Sequence, residues 1–360
     1  MALLVVPVET GIRLVERRYG RNFRFAPAMS NLDKLDLFLD DVEAGAVYDI
    51  LIAGSSACMY GIRPDILGAA LGNKSAAYNL SFSGTSFLIG LEIIRHMRLT
   101  PKQIIVCVSP FNFTRLAYER DRAALVHLDK RISEMTARDH PTEFRTDRLM
   151  TDRPSRKGMS RLLRICDPRY RAGVLNLANP RTGLVTVFGS LETFGRCITV
   201  SNDEKELFEG GRYYISYVSN GFTGLVMEKK WSTEDFELAL EPIEENYRKI
   251  VFPDYRTGGS ELFVKTEILL KGLQAKGAGI VFVRLPQSAQ LRELEDRETD
   301  FDEAIRRLAK RQCIEYLDAQ DLSPGFASDP NNFRDPAHLH DGSASKVSRW
   351  IGAKISALLR

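Results

Sequence analysis

Apolar positions fall in short runs separated by glycine, proline and polar turn residues. Ile50-Leu51-Ile52-Ala53 is apolar at every position. A run without alternation suits a parallel strand buried on both faces, here predicted over 49–53. Gly54-Ser55-Ser56 breaks it, and after the Arg63-Pro64-Asp65 turn the spacing over 66–71 predicts a helix. A second strand is predicted over 76–82, ended by Ser83-Gly84-Thr85, then a helix over 87–98 and, past Pro101, a third strand over 103–109. Strand and helix alternating at this spacing means parallel crossovers. Upstream, 32–42 has helical apolar spacing with Asp and Glu between.

From Pro110 to about Tyr255 the alternation stops. Residues 115–135 read as a polar helix and 145–164, rich in Arg and Lys, as a mobile loop. Residues 183–194 are apolar between turn residues, and the Gly- and Tyr-rich 201–224 reads as irregular. A helix over 241–251 is expected to stop at Pro253, and another over 260–276 to end at Gly277. The alternation resumes with a fourth strand over 278–286, a charged helix over 302–312, a fifth strand over 314–319 and a closing helix over 343–359. The expected fold is α/β: three layers, α/β/α, around a five-stranded parallel flavodoxin-like sheet, with a large helical and irregular insertion after the third strand. The chain divides into an N-terminal lead-in (1–47), a first part of the α/β domain (48–112), an inserted lid or cap (113–255) and a second part (256–360). Long insertions at such loop positions often carry function.

Composition narrows the class. Three hundred and sixty residues exceed the size at which one core usually keeps growing, hence the expectation of one domain with an insertion. A net charge of +3 is too small to argue for nucleic acid. Cys58, Cys107, Cys166, Cys197 and Cys313 are scattered and odd in number, without metal-ligand spacing or a disulfide framework. Residues 1–8 are apolar but too short to span a bilayer, and they lack the flanks of a signal peptide. They read either as an element packed on a cytoplasmic domain, or as the tail of a membrane anchor whose start lies upstream. In the second reading Arg13, Arg17, Arg18 and Arg21 sit just outside the bilayer and the domain faces the cell envelope.

The candidate chemistry begins at Ser56. A strand that stops at Gly54-Ser55-Ser56 and feeds a helix puts a hydroxyl at the carboxyl edge of the sheet, among free backbone N–H groups. The base it needs is found in Asp335-Pro336-Ala337-His338, after the fifth strand and at the same edge. At that spacing the carboxylate can hold one imidazole nitrogen while the other faces outward to take the serine's proton. Gly84 and Asn112, after the second and third strands, are candidate oxyanion donors together with the Ser56 N–H.

These blocks resemble the SGNH hydrolases, also called GDSL-like esterases, in order. Gly54-Ser55-Ser56 stands for Gly-Asp-Ser, Asn79-Leu80-Ser81-Phe82-Ser83-Gly84 for the glycine block, Val108-Ser109-Pro110-Phe111-Asn112 for Gly-x-Asn-Asp, and Asp335-Pro336-Ala337-His338 followed by Gly342 for Asp-x-x-His. The resemblance covers about 48–112 and 278–358. Its Gly-Ser-Ser variant is similar to envelope-associated branches that handle O-acetyl groups of polysaccharides or D-alanyl groups of teichoic acids. It implies hydrolysis or transfer of a small acyl group, such as acetyl, on a carbohydrate-containing or small-molecule ester. Ser56, His338 and Asp335 would form the triad, no cofactor or metal would be needed, and a membrane O-acyltransferase would be a possible partner. The alternative is a weakly active or non-catalytic SGNH-like binding protein of the cell envelope.

Competing roles exist for each residue. Ser56 could cap the following helix, and Ser55 is a rival nucleophile. Asp335, His338, His340 and Asp341 could instead bind zinc. His96, His127 and His140 are expected to face solvent. Arg284, ending the fourth strand, could clamp a substrate carboxylate or phosphate, or simply lie on the surface. The basic run 145–164 could meet an anionic polymer or lipid headgroups, or be a solvated lid.

Overall fold

All five apolar runs become strands of one sheet in the computed structural model, which describes residues 24–25, 31–43, 45–71, 76–139, 214–219, 221–227 and 230–358. The strands are β1 (Ile50–Ala53), β2 (Ala77–Asn79), β3 (Gln103–Cys107), β4 (Gly279–Arg284) and β5 (Glu315–Asp318). All pairs are parallel, in the order β2-β1-β3-β4-β5, which is the expected flavodoxin-like arrangement. The second strand is shorter than its apolar run, although the Leu80 and Phe82 N–H groups still donate to the Ile52 and Gly54 carbonyls, and the Asn79 side chain accepts from the Ser81 N–H.

Side chains alternate between two apolar layers. Leu51, Ala53, Ile104, Val106, Ile280 and Phe282 face one cluster, completed by α1 (Asn31–Glu43), α4 (Leu88–His96), α7 (Phe252–Gln274) and α9 (Phe301–Arg311). Ile50, Ile52, Ile105, Cys107, Val281 and Val283 face the other, completed by α2 (Ser56–Gly61), α3 (Pro64–Ala70) and α10 (Asp341–Leu358). This is why the central strands are apolar at every position: neither face meets water. Each Val, Leu, Ile and Phe among them contributes about 1.5–3 kcal/mol on burial.

Between β3 and β4 the described residues hold α5 (Arg115–Asp139), an antiparallel hairpin (Tyr214–Ser219 and Phe222–Met227) and α6 (Thr233–Asn246). The hairpin corrects the irregular reading of its part of 201–224; the Asn220-Gly221 dipeptide was its sequence signal. Gly221 takes φ +77°, and a Cβ there would lie 2.1 Å from the Asn79 carbonyl oxygen, so no other residue fits. The hairpin also pairs with the two-residue strand Arg24–Phe25. Pro253 does not stop the helix before it. α6 runs without a break through a π turn (Tyr247–Val251) into α7, with Pro253 as the second residue of α7. A further helix, α8 (Ala289–Glu298), follows β4. Its mostly charged sequence hid the two buried leucines, Leu291 and Leu294, that dock it.

Cys58 and Cys107 form a disulfide pair with Cα atoms 6.0 Å apart, against the expectation of none. Their separation of 49 residues gives no local signal. They meet because β1 and β3 are hydrogen-bonded neighbours and α2 leaves the end of β1. The expectations for 1–8, Arg13 to Arg21, His140, 145–164, 183–194 and 201–213 lie outside the described residues. Among the described residues no helix is long and apolar enough to cross a membrane.

Candidate active site

Ser56 owes its place to the close end of β1. A Cβ on Gly54 would sit 2.3 Å from the Cys58 Cβ and 3.0 Å from the Cys107 Cβ, so only glycine lets the chain turn there. Ser55 is the N-cap of α2 and makes no side-chain capping bond, and Ser56 is the first helical residue. The capping role considered for Ser56 therefore does not occur. Asn79, fully buried at the end of β2, donates to the carbonyls of Cys58 and Ile62, both at 3.0 Å, and so holds the far end of α2 against the sheet.

Asp335 and His338 face each other across a tight two-strand ribbon, Phe333–Asp335 with His338–Leu339. Pro336 and Ala337 form its turn, and the Ala337 N–H donates to Asp335 Oδ1 at 3.0 Å. His338 Nδ1 lies 2.8 Å and 3.0 Å from the two Asp335 oxygens, and Nε2 lies 2.8 Å from Ser56 Oγ. The tautomer that satisfies all of these has Nδ1–H donating to the carboxylate and Nε2 accepting from the serine. Burial alone would raise the Asp335 carboxyl. The attraction and hydrogen bond of His338, with Arg334 and the Ala337 N–H, outweigh it and hold the group below the usual carboxylate range.

The Ser56–His338–Asp335 chain opens on a cleft of about 880 Å³. Asn112 lines it, is buried, and has its Oδ1 occupied by the Ser109 hydroxyl at 3.0 Å, while its Nδ2 has no acceptor. A buried donor left unpaired is costly unless something is meant to bind it. Several neighbours had no sequence signal. Tyr60 packs edge-on to the His338 ring, at 5.4 Å between centroids, and the Arg334 guanidinium lies over Tyr60. Tyr247, on the π turn, lines the cleft too, and π turns are frequent at functional sites. Burial first, then the negative fields of Glu295 and Asp335, push its phenol up, so it stays an O–H donor.

Two expected site residues lie elsewhere. Arg284 is 1% exposed and does not line the cleft. Its guanidinium is spent on Glu295 at 2.7 Å, Asp296 at 3.1 Å and Asp302 at 3.2 Å, so it cannot clamp a substrate, nor is it a surface residue. Gly84 sits in a left-handed turn, φ +71°, with its carbonyl accepting from Arg120 at 3.3 Å, and is not among the residues lining the cleft. The metal alternative loses its ligands to other partners: Asp341 pairs with Arg63, and His340 bonds Gly342 N–H and Ser343 Oγ. Among the described residues no three His, Cys, Asp or Glu side chains are grouped to hold a metal ion. His127, beside Asp36, and His96, beside Glu92 and Asp129, are partly exposed at the surface.

The turn carrying Gly84 is tied to α5 by Asp121, which is fully buried and accepts from Ser86 N–H at 3.0 Å and Ser86 Oγ at 2.5 Å. Burial, partly offset by these bonds, pushes the Asp121 carboxyl up to about 7. The folded protein then keeps this proton from the ordinary value of 3.8 up to about 7 while the unfolded chain releases it. Stability contributed here therefore falls as pH rises through that window. Asp121→Asn, which keeps an acceptor but cannot titrate, should flatten the fall in urea midpoints between pH 4.5 and 7. An unchanged slope would place the titration elsewhere.

The arrangement can withdraw a proton from a hydroxyl, keep the resulting imidazolium beside a carboxylate, and offer an amide N–H to a developing negative oxygen. Comparison with family models, with curated proteins and with solved structures finds no match to this chain.

Proposed function

We propose that this chain is a serine-dependent esterase or O-acyltransferase. The observation that carries the reading is the unbroken hydrogen-bonded chain from Ser56 Oγ through both nitrogens of His338 to Asp335. Ser56 Oγ attacks the carbonyl carbon of an ester while its proton passes to His338 Nε2. The carbonyl oxygen takes the negative charge and is met by the Ser56 N–H and Asn112 Nδ2. The bond to the alcohol oxygen then breaks, and that oxygen leaves with the proton from His338. Water, or an acceptor hydroxyl such as that of a carbohydrate, then gives its proton to His338 as its oxygen attacks the acyl carbon; the bond to Ser56 Oγ breaks, and Ser56 Oγ takes the proton back from His338. Hydrolysis and transfer differ only in which nucleophile arrives. The motif blocks of the SGNH hydrolases support the same roles for Ser56, Asp335, His338 and Asn112.

The test needs no known substrate. A fluorophosphonate probe reacts only with an activated serine, and digestion followed by mass spectrometry of the peptide spanning 50–63 locates the adduct. The expected adduct is on Ser56. Ser55→Ala should keep most of the labelling, because the Ser55 side chain makes no capping bond. An adduct on Ser55, or no adduct, would overturn the assignment.

A further inference from the structure

The disulfide between Cys58 and Cys107 joins the two chain segments that supply the reacting groups. Cys58 lies two residues past Ser56 on α2, and its N–H closes the first turn of that helix on the Ser55 carbonyl at 3.1 Å. Cys107 is the last residue of β3. Two residues on, the Ser109 hydroxyl donates to Asn112 Oδ1 at 3.0 Å, and the Asn112 N–H donates to the Ser109 carbonyl at 3.1 Å. Pairing between β1 and β3 runs only to Ala53 and Val106. Past that point β1 has ended, Cys107 pairs with Val283 of β4, and the disulfide takes over the link. The bridge also presses on the turn itself. A Cβ on Gly54 would lie 2.9 Å from Cys58 Sγ and 3.0 Å from Cys107 Cβ, so the two side chains fill the space against the turn that carries Ser56. Cys58 is fully buried, whereas Cys107 lines the cleft.

We propose that this disulfide is a positioning element of the active site: intact, it holds the Ser56 hydroxyl and the Asn112 amide at one carbonyl, and its reduction slows the serine chemistry. The inference rests on the serine-ester reading. A dithiol reduces the bridge in two steps. Its first thiolate attacks the sulfur of Cys107, the end that lines the cleft. The Sγ–Sγ bond breaks, and Cys58 leaves as a thiolate that takes a proton. The second thiolate of the reductant then displaces Cys107 from the mixed disulfide. The reductant ends as a cyclic disulfide and the protein as two thiols. A small-molecule disulfide reverses the exchange. The freed sulfurs are no longer held at bonding distance and move apart against Gly54, and the turn of Ser56 takes up the displacement. An error of about 1 Å in the placement of a reacting group costs on the order of 10²-fold.

The test is a redox cycle on the whole chain, read by the fluorophosphonate probe. Iodoacetamide trapping in urea, with peptide mass spectrometry, reports the state of each cysteine. Cys58 and Cys107 should be blocked in protein that has met no reductant and free after dithiothreitol. Labelling of Ser56 should then slow at least tenfold. The fall should lie in the maximal labelling rate and not in the probe concentration that half-saturates it, because the rest of the cleft stays in place. A loss of folding stability alone would leave that rate unchanged in the folded protein. Replacing dithiothreitol by oxidised glutathione should restore the rate in the same sample, which excludes irreversible unfolding. Cys58→Ser and Cys107→Ser should each label slowly whatever the redox buffer. Cys313→Ser, exposed and outside the cleft, should respond as the parent does. Cys58 or Cys107 found free before reduction overturns the inference. So does a maximal rate that reduction leaves unchanged, or that oxidised glutathione fails to restore; the serine-ester reading then still stands. No labelling in either state overturns both.

Discussion

Under the proposed mechanism, Ser56→Ala and His338→Ala should each abolish fluorophosphonate labelling and lower turnover of an ester substrate by on the order of 10⁶-fold. The expected effect is this large because, in the proposed mechanism, the three residues act as a unit. Without Ser56 no acyl-serine forms. Without His338 the Ser56 hydroxyl loses the acceptor that lies 2.8 Å away. Asp335→Asn should cost about 10⁴-fold without unfolding the chain, since an amide favours the wrong imidazole tautomer. The pH dependence of the Asp335 contribution follows from its surroundings. Asp335 is held below the usual carboxylate range, so its support for His338 is present at neutral and mildly acid pH. That support is lost only as pH falls through the lowered value. Undiminished labelling of the His338→Ala protein would show that another base serves Ser56. A normal folded spectrum for each variant keeps the loss attributable to chemistry.

The second large effect is on stability, at the residue that the sequence offered as a substrate clamp. Arg284→Ala should cost about 3–5 kcal/mol, because it leaves Glu295, itself fully buried, without its ion-pair partner. Around them, Gln287 Nε2 donates to Glu295 at 3.0 Å and the Tyr316 hydroxyl donates to Asp302 at 2.7 Å, so the damage spreads through a shared network. Gln287 also lines the cleft. Replacing both members of the buried pair, as in Arg284→Met with Glu295→Leu, should recover much of the loss, since a desolvated pair often adds little over well-packed apolar side chains. Urea midpoints of the two single variants and the double variant measure the coupling. If the double variant is no more stable than Arg284→Ala, the pair matters through something other than mutual compensation. If Arg284→Ala is as stable as the parent, the buried-charge account is wrong.

The sequence by itself determined the parts whose physics is local. Strands buried on both faces must be apolar at every position, so 49–53, 103–109 and 278–286 announced the centre of a parallel sheet, and their order along the chain led to the 2-1-3-4-5 arrangement. Asp335 and His338 were legible as a pair because three residues and a proline turn suffice to bring a carboxylate to an imidazole. Gly54-Ser55-Ser56 was legible because a strand-to-helix turn exposes a hydroxyl, although the sequence could not say how close Cys58 and Cys107 press on Gly54. Tertiary structure alone decided everything that depends on contacts between distant positions. Ser56 and His338 are 282 residues apart, and only the shared edge of the sheet makes them partners. Cys58 meets Cys107 because two strands are neighbours. Arg284 looked available from its place at a strand end, yet α8 and α9 bring three carboxylates onto it. Pro253 falls inside a helix because the π turn and α7 continue past it, which a rule about isolated prolines does not foresee. In each case the deciding term is burial or pairing against a residue far along the chain, and periodicity, spacing and turn chemistry report only on near neighbours.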